Sequence, residues 1–148
     1  MYLPKTLIYF TPFYFENGNN PQNKYFIVLE ATEQDIVLAS LPTSKNQVPN
    51  HIQKTHGCLN HDESRFNCYL FEKQKIISEC NTFSFPLDTF VYGEQVFTTE
   101  KTKLENGYKS ENKDFVVLCK LSETEYRSLI NCLKNSKSVK NRIKRLIA

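Results

Sequence analysis

Short apolar runs recur from the N-terminus to about residue 121, separated by clusters of Asn, Pro, Gly and Ser. Runs of four to eight residues rich in Val, Ile, Tyr, Phe and Leu, bounded by turn formers, mark the strands of an all-β sandwich or barrel. Six or seven are predicted, from the runs TLIYF (6–10), KYFIVLE (24–30), DIVLASL (35–41), FNCYLF (66–71), KIISEC (75–80), TFVYGEQVF (89–97) and DFVVLCKL (114–121). The third is an unbroken apolar run, which calls for burial on both faces. Only ATEQ separates the second from the third, short enough for a hairpin. ENGNNPQN (16–23) and KLENGYKSENK (103–113) read as loops, each carrying Asn-Gly turn chemistry.

The period changes at Leu121. Ser122 followed by Glu125 forms a capping box, with Leu121 and Tyr126 placed as its hydrophobic staple. Tyr126, Leu129, Ile130 and Leu133 then fall on one helical stripe, and Val139, Ile143, Leu146 and Ile147 repeat it beyond a break at NSKS (135–138). The expected organisation is one mainly β domain over 1–148, with a barrel over about 5–121 and an amphipathic helical segment over about 122–148. At 148 residues the chain has the length of an ordinary domain.

Six of the 19 basic residues (Lys134, Lys137, Lys140, Arg142, Lys144, Arg145) lie in the last fifteen positions, which hold no acid. The rest of the chain carries 13 basic against 16 acidic side chains, so this tail makes the protein basic. A patch of one sign favours polyanions, nucleic acid first; the bland alternative is a solvated helix face. The apolar opening LIYFTPFYF is interrupted by Pro12 and lacks a small-residue cleavage site, so neither a signal peptide nor a membrane span is expected. Five cysteines without framework spacing predict reduced thiols and a cytoplasmic setting.

Three constellations could carry chemistry. His51, His56, Cys58 and His61 are zinc-type ligands, but their spacing matches no paired metal motif, so no metal or other cofactor is expected and a general acid or base at His56 is the use retained. Lys24 opens the second strand, and Pro42, Thr43 and Ser44 close the third. A hairpin would place the ammonium beside two hydroxyls, able to stabilise charge growing on phosphoryl oxygens. Tyr69, Phe71, Phe83, Phe85, Phe90 and Tyr92 form the third group, as stacking surfaces for bases or, more plainly, as core. The alternation in FSF puts Phe83 and Phe85 on one face, read as the inner one.

The order of these features resembles the MazF/PemK group of toxin ribonucleases, whose SH3-like barrel is shared with the ToxN/AbiQ and CcdB types. NKYFIVLE stands where that group has a basic residue opening a strand, IVLASLPTSK where it has a strand ending in Thr-Ser, and LSETEYRSLINCL where its helix begins. The similarity spans about residues 6 to 133. It implies an SH3-like barrel and metal-independent cleavage of single-stranded RNA by attack of the 2′-hydroxyl on the adjacent phosphate. It also implies an antitoxin partner, and the apolar faces of the C-terminal helices point to a homodimer. Lys24 matches the family's basic residue and Thr43 its threonine, with Ser44 as the alternate beside Pro42. The family usually has Arg there, and Lys lacks the bidentate fork. Lys45, Lys54, Arg65, Lys140 and Arg142 are the expected RNA contacts. The alternative is a non-catalytic module binding protein or nucleic acid on the same barrel. A weaker alternative is a zinc hydrolase using His51, His56 and His61.

Overall fold

The computed structural model describes residues 2–15, 17–42, 48, 52–61 and 67–147. Eight strands form two antiparallel sheets: β1 (Thr6–Phe13), β2 (Gln22–Ala31), β3 (Asp35–Leu41), β4 (Gly57–Cys58), β5 (Cys68–Phe71), β6 (Thr89–Tyr92), β7 (Val96–Glu100) and β8 (Phe115–Lys120). The larger sheet runs β7-β3-β2-β1-β8 and the smaller β4-β5-β6. Three helices follow the pattern less evenly: α1 (Lys101–Gly107), α2 (Glu123–Lys134) and α3 (Asn141–Leu146). The protein is therefore mainly β, and among the described residues β7 and β8 remain the edges of the larger sheet, with no closed barrel formed.

The larger sheet is covered on both sides, which explains the unbroken apolar run of β3. Its inner face presents Leu7, Ile27, Leu29, Val37, Ala39 and Leu41 to Tyr69, Phe71 and Val91 of the smaller sheet and to the apolar stripes of α2 and α3. Its outer face presents Ile8, Phe10, Phe26, Val28, Ile36 and Leu38 to Tyr2, Leu104 and Tyr108. Period-two alternation along each strand sorts the two sets. The smaller sheet is closed on its far side by Val48 and Leu59 over Cys68, Leu70, Phe90 and Tyr92, so every residue of β5 is buried.

Several expectations are corrected by backbone geometry. Residues 75–80 make only the bridge Ser78↔Leu121; Gln74 N–H donates to Phe85 O, Ile77 N–H donates to Phe83 O, and Asn81 turns at φ 57°, so this backbone is spent in a turn rather than a ladder. The run 89–97 is two strands, split by a 3-10 turn at Gly93–Gln95 that carries the chain from one sheet to the other. The segment 103–113 includes most of α1, whose only buried side chain is Leu104, too little to show as a period in the sequence. The reduced-thiol expectation fails for two of the five cysteines: Cys58 and Cys132 form a disulfide across 74 residues, Cα 5.4 Å apart, because β4 lies against α2, whereas Cys68, Cys80 and Cys119 are free. Cysteine number and spacing do not encode such pairing.

The two helices expected after Leu121 form, but only the Ser122 half of the capping box does. Ser122 Oγ accepts from Glu125 N–H at 3.2 Å, α2 begins at the next residue, and Asn135 ends it. Leu129, Ile130, Leu133, Val139, Ile143 and Ile147 are all buried in the inner core. The apolar faces that pointed to a partner subunit are thus occupied by the chain's own sheet. Among the described residues no helix is long and apolar enough to cross a membrane.

Candidate nucleic-acid interface

The β2–β3 hairpin forms as its sequence requires. Thr32 Oγ1 accepts from Asp35 N–H in the turn, and Tyr25 pairs with Leu41, so continuing the register sets Lys24 beside Pro42. Thr43, Ser44 and Lys45 follow outside the described residues, as do His51 and Arg65. Tyr25 packs against Phe85 in the inner layer, and Lys24 pairs with Phe10 of the outer core. Strand alternation therefore puts Lys24, half-buried, on the outer face.

An aromatic cleft of about 310 Å³ opens on that same face, lined by Phe13, Phe15, Phe26 and Phe97 with Asn17, Ser40, Thr98 and Thr99. A break in β1 creates it. The register with β2 shifts between Phe10 and Phe13, at Pro12, whose missing N–H suits a bulge better than a regular ladder. The shift brings Phe13 to the side of Phe10: the two rings lie 5.4 Å apart, and both touch Phe26 and Tyr108. A second hollow of about 210 Å³, bounded by Tyr14, Lys103 and Tyr108, adjoins the first and shares Phe13 and Thr99 with it.

His56 lies elsewhere. Its Nδ1 accepts the Glu72 backbone N–H at 3.0 Å, which fixes that nitrogen as the lone-pair side, and its Nε2 therefore donates to Glu125 Oε1 at 2.6 Å. Glu125 Oε1 also accepts the Tyr69 hydroxyl at 2.7 Å. Burial, and then the Glu125 carboxylate, push the Tyr69 phenol well above its ordinary range. The cluster sits between β5 and α2, and the His56 and Glu125 side chains are only 11% and 12% exposed. The larger sheet thus separates His56 from Lys24, and both imidazole nitrogens have protein partners. Glu125 takes this role because Ser122 N–H donates to Ile77 O, which leaves the second half of the capping box unneeded.

Lys54, Lys140 and Arg142 are exposed, the last two at the start of α3, and Lys134 at the end of α2 and Arg145 at the end of α3 are exposed as well. Of the zinc-type residues, Cys58 is bonded to Cys132, and among the described residues no group of three or more His, Cys, Asp or Glu converges. The aromatic group singled out in the sequence is core: Tyr69, Phe71, Phe85, Phe90 and Tyr92 are buried, and Phe83 packs against Phe85 at 5.2 Å. The cleft residues Phe13, Phe15 and Phe97 were missed; the signal that could have found them is Pro12 inside an otherwise strand-like run. No protein-family model, curated protein or solved structure matches the chain.

Proposed function

We propose that this chain is an RNA-directed protein of the MazF/PemK toxin type on an SH3-like fold, cleaving single-stranded RNA without a metal. The observation that carries the reading is the β2–β3 register, which sets Lys24 beside Pro42 on the face holding the aromatic cleft, Thr43 and Ser44 being the next residues in the sequence. A fixed ammonium stabilises a phosphorane-like transition state because negative charge grows on the non-bridging oxygens there. In the reaction the 2′-oxygen bonds to phosphorus and the P–O5′ bond breaks. The 2′-hydroxyl proton passes to a base and the 5′-oxygen gains one, leaving a 2′,3′-cyclic phosphate and a 5′-hydroxyl. Lys24 acts on the phosphoryl oxygens, and Thr43 or Ser44 positions the phosphate. A small protein antitoxin is the partner this reading carries with it.

A second reading, a non-catalytic RNA-binding module, is favoured by one observation: His56 faces the opposite side of the sheet with both nitrogens engaged, so it supplies no acid or base to Lys24. The exposed basic residues of α2 and α3 would then hold the RNA by its phosphates. Expression without a partner separates the two. A ribonuclease arrests growth and fragments cellular RNA, and Lys24→Ala relieves both effects. A binding module leaves growth and RNA intact.

A further inference from the structure

We propose that the outer-face cleft between Phe13, Phe15, Phe26 and Phe97 receives one unpaired nucleobase of a single-stranded RNA, an assignment that rests on the RNA reading above but adds a site to it. Every base offers a flat π-face, and stacking on aromatic side chains is the usual means of holding a splayed base. About 310 Å³ is at the small end of cavities that take small ligands, too small for a helix or a folded partner. Ser40, Thr99 and Asn17 add hydroxyls and an amide to the lining. A base edge can pair with such groups, whereas a lipid tail would leave them unsatisfied.

The surroundings also favour a polyanion. Lys24 lies on the same face, Lys103 bounds the adjoining hollow, and no carboxylate lines either hollow among the described residues. The two hollows adjoin at Phe13 and Thr99, so a strand leaving the cleft passes close to Tyr14, which is 61% exposed and offers a second stacking surface. Paired bases could not enter, since a duplex presents edges and backbone rather than ring faces.

The probe is a short 2′-O-methylated oligoribonucleotide, which lacks the internal nucleophile and stays intact, carrying 2-aminopurine at each position in turn and a dye at one end. Binding is read from dye anisotropy and stacking from quenching of 2-aminopurine. Phe15→Ala removes a wall that is not part of the outer core cluster, and Ser40→Leu fills the floor. Two variants guard against loss of folding in either one, which thermal unfolding checks. The parent is expected to quench at one position, and each folded variant to lose that quench and bind ~5- to 100-fold more weakly. Anisotropy without quenching in the parent, or unchanged quenching and affinity in the folded variants, overturns the cleft assignment while the RNA reading stands. A parent that shows no anisotropy change overturns the RNA reading, and the cleft assignment with it.

Discussion

The cysteines divide by environment. Cys80 is exposed and its thiol is pulled below the ordinary range by the hydroxyls of Thr82 and Ser78, whereas burial pushes Cys68 and Cys119 up to about 12. Thiolates are the reactive form. Iodoacetamide added to the native protein is therefore expected to label Cys80 first, with Cys68 and Cys119 labelled only after unfolding; peptide mass mapping reads this. The same shifts set a pH dependence. Above about pH 9 the unfolded chain releases thiol protons that the native state retains, so unfolding free energy falls by up to about 1.4 kcal/mol per pH unit for each buried thiol. Urea melts at pH 8 and pH 10 should show the loss, and Cys68→Ala should reduce it. At the His56–Glu125–Tyr69 cluster, Glu125→Ala strands two donors in a nearly closed space and should cost roughly 2–5 kcal/mol by urea unfolding.

At the scale of elements, close packing is concentrated where the 3-10 turn meets the α2–α3 connection. A Cβ at Gly93 would stand 2.6 Å from Ser136 Oγ and 3.1 Å from Val139 Cγ2, and Ser136 is 1% exposed with little room to yield. Gly93→Ala is expected to lower stability by about 1–3 kcal/mol, read as a lower urea midpoint. Elements set by neighbours in sequence were readable from it: the β2–β3 hairpin, the Ser122 cap and the stripe of α2 depend on contacts within a few residues. The failures have a common cause. Residues 75–80 read as a short apolar run, yet their backbone is taken up by Glu72 and Phe83 in tight turns and by Lys120 and Ser122 from the distant end of β8, which no strand pattern specifies. Lys24 could be found as part of the site because its partner Pro42 is one hairpin away. The cleft could not, because β1, β2 and β7 and the chain after β1 each contribute a ring, and a register shift turns Phe13 into place.

Across the whole molecule, the Cys58–Cys132 bond ties the small sheet to α2 and closes a loop of 74 residues. Loop-closure entropy for that separation predicts about 4 kcal/mol of stability, so dithiothreitol should lower the melting temperature by roughly 10 °C. An unchanged melting point would mean the tie contributes nothing. The bond joins the side of the sheet that holds His56, Glu125 and Tyr69, whereas Lys24 and the aromatic groove lie on the other. The inner side is thus held by apolar packing, a disulfide and a closed polar cluster, with its own recess at α2 mixing Glu30 and Glu123 with Arg127 and Lys134, whereas the aromatic recess lies on the outer side. That division makes a single comparison decisive: cleavage of a mixed-sequence single-stranded RNA in EDTA by the parent, by Lys24→Ala and by His56→Asn. The account predicts products ending in 2′,3′-cyclic phosphate from the parent and from His56→Asn at comparable rates, with cleavage by Lys24→Ala reduced at least ~100-fold. Cleavage that survives Lys24→Ala and disappears in folded His56→Asn would contradict it, and would place the chemistry on the opposite face of the sheet.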